Sequence, residues 1–486
     1  MSNAAPVVSF ADLIFHHALS CPAKPAVILA DRVVTYAMMA QGILRAEERI
    51  RTLALHPGAL VCVALDSPIR TLVVAAALFR LGHPVIVTTR GEDCLNLRLP
   101  VGTFLQDPGG ALLPGQRQAV VDDAWFAGES RPVSAAARKG FADERQICCV
   151  ALSSGTTGRP KAISLTVEAF HQWVRNQYLA IGLGTWERLL LVVGLTGSWG
   201  LSLAAHALFA GRTLVFAANA RETLHMIAVY AVDAMAATSL QLRDIVREQL
   251  REPLPSTSLS TVLTGGAMLS RAAIAEARAN LCSSIIIGYG SSEAGLSAYA
   301  SADQLGSTEG AAGFITPWTK VEIVSETGDP LPAGRDGIVR VRSTCMGAPY
   351  PPGTDNPNFR GNWFYPEDLG RITPEGLLVI AGRTSDVINV GGHKLAPELI
   401  EDVLRQHPAV SEAAALGSVG EDGFEQISIA LIAKTPVPDA SLIAWCAERG
   451  IPLTRIFHVE TLPRSAAGKI QRDLLKRQLL GSTGSM

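Results

Sequence analysis

Nine consecutive residues, Ser153-Ser154-Gly155-Thr156-Thr157-Gly158-Arg159-Pro160-Lys161, bring two serines, two threonines, two glycines and a lysine together behind the apolar run Ile147 to Leu152. That composition describes a buried strand opening into a turn whose hydroxyls and backbone amides converge on an anion, with phosphate the natural guest. The glycines let the backbone approach closely, and Lys161 adds a compact positive charge. Taken alone, such a loop reads more readily as a solvated turn. Further segments downstream shift the balance.

Gly288-Tyr289-Gly290-Ser291-Ser292-Glu293 follows the apolar stretch Ser284 to Ile287. An aromatic, a hydroxyl and a carboxylate at a strand's C-terminal end supply a stacking face, a phosphate donor and a metal ligand. A Gly/Ser turn with a solvated glutamate is an equal reading of this segment by itself. Glu367-Asp368-Leu369-Gly370 follows Trp363, Phe364 and Tyr365, where a lone Asp could simply cap a turn. The polar stretch from Gly382 through Arg383, Asp386 and Asn389 to Gly391-Gly392 has the flexible glycines and charged pair of a hinge. Pro463-Arg464-Ser465-Ala466-Ala467-Gly468-Lys469-Ile470 sets a lysine in a small-residue loop, on its own an ordinary surface lysine. Only eight of the 42 Lys and Arg residues are lysines, so Lys161, Lys394 and Lys469 stand out in such segments.

The elements that must position these residues follow from periodicity. Ala26 to Leu29, Leu60 to Leu65 and Pro84 to Thr88 read as strands, and Met38 to Leu53 and Pro68 to Leu81 as helices. Further strands are expected at Leu189 to Val193, Thr213 to Phe216, Ala231 to Ala236, Thr261 to Leu263 and Ser284 to Ile287. Strand–helix alternation predicts parallel sheets covered by helices, an α/β class. From about Val321 short alternating strands with Gly/Pro/Asp turns predict a small antiparallel sheet or barrel. A boundary falls near Gly382 to Asn389. Beyond it, a helix over Leu395 to His407, strands over Val410 to Leu416 and Gln426 to Ile432, and a helix over Asp439 to Arg449 make a small α+β unit.

A chain of 486 residues is too long for one core. With 48% hydrophobic and 18% charged residues and a formal net charge of −2, it has no basic excess for nucleic acid. Its longest apolar runs are too short to span a bilayer, and Met1 to Phe10 lacks the layout of a signal peptide. The eight cysteines show no metal-ligand spacing and read as reduced thiols of a cytoplasmic protein.

Five segments in this order, from Ser153 to Arg472, resemble the adenylate-forming superfamily of acyl-CoA synthetases, adenylation domains and firefly-type luciferases. The resemblance implies an N-terminal domain, residues 1–385, of two doubly wound subdomains plus a small β-barrel, and a mobile C-terminal lid, residues 386–486. It implies activation of a carboxylic acid by ATP and Mg²⁺ to an acyl-adenylate, followed by transfer to a thiol. Ser153, Ser154, Gly155, Thr156, Thr157, Gly158 and Lys161 would hold the ATP β/γ-phosphates. Gly265, Gly266 and Ala267 would edge the adenine and acyl pockets. Within Tyr289-Gly290-Ser291-Ser292-Glu293, Tyr289 would stack on adenine, Ser292 bond the α-phosphate and Glu293 bind Mg²⁺. Asp368, with Arg383 beside it, would accept the ribose hydroxyls, and Lys469 would bridge the carboxylate and α-phosphate. Asp386 would be the hinge, and Gly391-Gly392 would meet the thiol arm.

The chain departs from the family's pattern in places. Before Asp368 the usual Thr-Gly is Pro366-Glu367, so the local turn must differ; Ser292 replaces Thr, and Asn389 stands where many relatives have Lys. In Gly194-Leu195-Thr196-Gly197-Ser198-Trp199-Gly200, Thr196 falls where amino-acid-activating members carry Asp. Without that Asp an α-ammonium would be buried unpaired at a cost of several kcal/mol, which favours an acid lacking an α-amine. Trp199 either narrows the acyl pocket or is a core residue. The motif style is closest to acyl- and aryl-CoA ligases, with CoA as acceptor. Delivery to the phosphopantetheine of a carrier protein is the alternative, since both thiols end in the same arm and no basic patch for the CoA 3′-phosphate is evident. A P-loop phosphohydrolase is disfavoured because the GxxxxGK[ST] order is absent.

Overall fold

The computed structural model describes residues 10–134, 140–153, 161–180, 186–254, 258–267, 269, 271–306, 308, 310–384, 386, 388–390, 393–395, 397–419, 425–464 and 468–480. Local signals set several element ends. The helix Tyr36–Thr52 starts where the Thr35 side chain accepts from the Met38 amide. The helix Pro68–Leu81 has proline in its first turn behind the Ser67 cap, and it stops at Gly82, φ 75°.

Among the described residues the N-terminal strands form two large sheets. In the smaller, Leu60–Ala64 lies parallel to Val85–Val87 and Val101–Gln106, and Ile147–Ser153 is parallel to Val85–Val87. The larger has a parallel run through Ser284–Ser291, Thr261–Gly265, Ala234–Thr238, Arg188–Leu191 and Thr213–Val215. It then continues without a break into antiparallel strands, Gly295–Ser301, Ala311–Ile315, Leu377–Arg383 and Asp368–Ile372. The barrel-like part is thus an extension of the second sheet. Among the described residues one apolar cluster, with Tyr36, Met39, Phe79, Phe170 and Leu203 buried in it, joins residues of both sheets, and a second, with Leu190, Met235 and Ile245, lies against the larger sheet.

Some expectations need adjustment. The strand at Ala26 to Leu29 forms as Pro25–Leu29; it pairs antiparallel with the following strand Arg32–Thr35 and parallel with Thr213–Val215, so both join the second sheet and not the first. The strand expected from Ala231 begins at Ala234, because Ala231 takes a left-handed φ of 47° to end the helix Ala220–Tyr230. Tyr289 does not follow its strand but lies inside it, since Ser284–Ser291 is prolonged by antiparallel pairing with Gly295–Ser301.

After residue 386 the chain builds a separate core. The helix Pro397–Arg405, shorter than expected because Leu395 pairs with Ile388, packs on the antiparallel strands Val410–Val419 and Glu425–Ala433. The helix Asp439–Ala447 agrees with expectation, whereas the strand Leu453–His458 and the helix Arg472–Leu480 carried too weak a pattern to be anticipated. The apolar clusters here, with Ile400, Leu404, Ile429 and Leu442 fully buried, contain no residue from before Ile388. Among the described residues no helix is long and apolar enough to cross a membrane.

Candidate active site

Strand ends of the second sheet and several elements of the C-terminal unit, among them the loop carrying Lys469, face a common cavity of about 2970 Å³. Asp368 opens the strand Asp368–Ile372 directly opposite Arg383, the last residue of Leu377–Arg383. The Tyr289 hydroxyl donates to Asp368 Oδ2 at 2.6 Å, and Arg383 Nε lies 3.7 Å from Oδ1. Asp368 is buried, which holds its carboxyl above the usual range, while Arg383, Tyr289 and Lys469 pull the other way. The same carboxylate and the burial push the Tyr289 phenol upward.

The turn before Asp368 keeps a left-handed residue: Glu367 has φ 64°, and its carbonyl accepts from the Thr384 amide at 2.8 Å. A glycine would adopt that conformation more cheaply. The unusual Pro366-Glu367 pair therefore still delivers Asp368 to its place opposite Arg383.

Lys469 reaches the cavity from the C-terminal unit. Burial, then the charge of Arg383, draws its pKa down to about 8, partly offset by Asp368 and Glu293. Gly468 before it adopts φ 79°, and a Cβ there would stand 3.0 Å from Leu240 Cβ. At Gly468 the backbone lies tight against Leu240 of the helix Ser239–Arg251, and the left-handed φ favours glycine.

Glu293 is 7% exposed, with its carbonyl accepting from the Gly347 amide at 2.7 Å. Ser292 Oγ is 2.9 Å from Ser198 Oγ, at the start of the helix Ser198–Phe209. Ser291 is engaged within its own turn, its Oγ accepting from the Ala294 amide at 3.1 Å, and Gly290 is exposed to the cavity. Gly265 ends its strand beside Gly288; a Cβ on it would lie 2.7 Å from the Gly288 carbonyl oxygen and 4.0 Å from Trp199 Cη2. Gly266 lines the cavity next to it, and the Ala267 carbonyl accepts from Ser239 Oγ at 2.7 Å. Thr196 is exposed on the cavity wall. Trp199 both lines the cavity and packs against the main core.

Ser153 closes the strand Ile147–Ser153 opposite Lys161, the first residue of Lys161–Thr166, so the two hold the base of the anion loop. Ser154, Gly155, Thr156, Thr157 and Gly158 lie outside the described residues, as do Gly391 and Gly392. Asp386 is described, and its Oδ2 accepts from Arg472 Nη1 at 2.9 Å. Arg472 also reaches Glu398 at 2.9 Å and Glu401 at 2.7 Å. Residue spacing gave no sign of these partners.

Among the described residues no group of three His, Cys, Asp or Glu side chains could hold a metal ion. A single buried carboxylate, Glu293, fits Mg²⁺ that takes its other ligands from phosphates and water, the usual manner for this ion. Arg405, Lys434, Arg455, Lys476 and Arg477 stand on the C-terminal side of the cavity. They come from several elements and share that side with Glu398, Glu401, Asp402 and Asp473, and Arg405 is itself paired with Glu401 and Asp402.

A family model described as AMP-binding enzyme matches residues 107–350. Enterobactin synthase component E of Escherichia coli (strain K12) is 32% identical over an alignment covering 69% of this chain and 65% of that protein. A 2-succinylbenzoate–CoA ligase of Geobacillus kaustophilus is 28% identical over 94% of this chain and 95% of its own length. The solved O-succinylbenzoate coenzyme A synthetase of Bacillus subtilis in complex with ATP and magnesium ion matches with TM-score 0.83 at 22% identity, covering 96% of this chain and 99% of that one. The amide bond synthetase McbA from Marinactinospora thermotolerans matches with TM-score 0.83 at 22% identity over 97% of this chain and 99% of its own. At that identity the structural likeness speaks for the fold.

Proposed function

The chain belongs to the AMP-binding enzyme family, and on that premise we propose that it activates a carboxylic acid lacking an α-amine and transfers the acyl group to CoA. The carboxylate oxygen attacks the α-phosphorus of ATP, forming the acyl-adenylate as pyrophosphate leaves. The CoA thiol then attacks the acyl carbonyl, and AMP leaves. The observation that carries this reading is the meeting of Lys469, Glu293, Asp368, Arg383 and Tyr289 at one cavity.

Two anions must approach each other, so charge neutralisation and positioning are the main demands on the protein. Lys469 meets the first demand, placed between the two reacting groups. Asp368 accepts the ribose hydroxyls, Tyr289 stacks on the adenine, and Arg383 beside Asp368 opposes the upward pull of burial on its carboxyl. Ser292 bonds the α-phosphate. Ser153, Lys161 and the loop between them hold the departing phosphates. Glu293 would hold Mg²⁺, which would neutralise phosphate charge. Gly265, Gly266 and Ala267 form the floor, with Thr196 and Trp199 bounding the acyl group; the lack of an acidic partner at Thr196 supports an acid without an α-ammonium.

We further infer two domains, residues 1–385 and a lid of residues 386–486 pivoting at Asp386, with Gly391-Gly392 serving the thioester step. The separate apolar core after Ile388 supports that division. CoA is favoured over a carrier-bound phosphopantetheine by relatives aligned along nearly the whole chain that are named CoA ligases. The eight unbridged cysteines and the intracellular supply of ATP and CoA support a cytoplasmic setting. The test is carboxylate-dependent ATP–pyrophosphate exchange over an acid panel that includes 2-succinylbenzoate and amino acids. Thioester formation with CoA and with a phosphopantetheinylated carrier follows. Exchange driven by amino acids alone, or acylation of the carrier alone, would overturn the reading.

A further inference from the structure

The loop that brings Lys469 into the cavity is held by an ionic relay that takes no part in the chemistry described above. Arg464 Nη1 donates to the carbonyl of Gly468 at 2.8 Å, and its Nη2 donates to Glu412 Oε2 at 2.6 Å. The other oxygen of Glu412, Oε1, is paired with Arg243 Nη1 at 2.8 Å, with Arg247 Nη1 at 4.0 Å. Glu412 lies on the strand Val410–Val419 of the C-terminal unit, whereas Arg243 and Arg247 are one turn apart on the helix Ser239–Arg251 of the N-terminal part. Leu240 of that helix abuts Gly468. A single carboxylate, with a side chain 14% exposed, therefore ties the two parts together and orients the arginine that grips the peptide next to Lys469.

We propose that Arg243, acting through Glu412 and Arg464, is a positioning residue for the adenylation step. The proposal rests on the reading that Lys469 serves that step from a movable lid. Arg464, Glu412 and Gly468 travel together, so their mutual bonds survive any lid rotation. The Arg243–Glu412 bond crosses the junction and must break when Lys469 withdraws. Its strength is consequently spent on one of the two half-reactions. A partly desolvated carboxylate that loses a partner no longer favours the docked arrangement, and a shift of about 1.4 kcal/mol changes a population tenfold.

The experiment uses the full chain and the panel acid that supports the fastest exchange. Arg243→Ala should slow ATP–pyrophosphate exchange about tenfold in kcat, with the KM for ATP nearly unchanged. Thioester formation from supplied acyl-adenylate and CoA should stay at the wild-type rate or rise. Arg243→Lys, which keeps a charge at that position, should recover part of the loss. Wild-type exchange in Arg243→Ala, or equal loss in both half-reactions, overturns the relay. Lys469→Ala run alongside separates the failures. If it too retains exchange, the reading of Lys469 falls and the relay with it; if it loses exchange while Arg243→Ala does not, the relay alone falls.

Discussion

The two sides of the cavity are held together by different forces. On the N-terminal side, Tyr289, Gly265, Asp368 and Arg383 sit on strands of one continuous sheet, each strand paired on both flanks, so the sheet as a whole fixes their positions. On the C-terminal side, Lys469 depends on a unit with its own small core, attached through ion pairs such as Arg243–Glu412. Sheet bonds and buried apolar surface have no ready substitute in water, whereas the groups of a partly exposed ion pair are solvated again when the two parts separate, at a modest net cost. The contrast teaches that the nucleotide platform is built to stay and the lysine to leave.

The largest expected effect sharpens the contrast directly. Lys469→Ala should lower adenylate formation roughly a hundred- to a thousandfold while thioester formation from supplied acyl-adenylate is nearly untouched. Measuring both half-reactions checks it, and equal loss in both would mean that the lysine is not confined to one lid position.

Asp368→Ala acts on the fixed side. Losing a charged acceptor should weaken ATP binding by about 2–3 kcal/mol, read by calorimetry. An unchanged affinity would place Asp368 in a purely structural pairing with Tyr289 and Arg383.

Gly265→Ala asks how rigid the platform is. The added methyl would meet the Gly288 carbonyl oxygen at 2.7 Å, so a loss of about 1–3 kcal/mol in stability is expected, seen as a lower Tm. A variant with wild-type Tm and activity would show that these strands can part.

The smallest effect is a matter of pH. Lys469 must be charged to act, and its pKa is drawn down to about 8, so kcat/KM for adenylation should fall as pH rises through about 8. The thioester step should show no such limb. An adenylation profile flat to pH 10 would mean that the lysine of the free enzyme is better solvated than the structure indicates.

The candidate residues were legible only jointly, because five segments in one order carry a resemblance that no single segment carries. Lys161, Tyr289, Glu293, Asp368, Arg383 and Lys469 were singled out by that resemblance, and all line the cavity. Helices with strong caps, such as Pro68–Leu81, were legible to the residue. The terminal helix Arg472–Leu480 was not, because few of its side chains are buried and its pattern is weak.

The amino-acid sequence by itself determined the α/β alternation and the polar motif residues at their strand ends, because side-chain periodicity and turn chemistry act over a few neighbouring residues. Only the tertiary structure decided that Pro25–Leu29 joins the second sheet, that Tyr289 bonds Asp368, and that Arg243 answers Glu412. Each of these pairings spans dozens of residues or more. A strand edge or a charge carries no local mark of its distant partner, and the choice is made only when burial brings the two within reach.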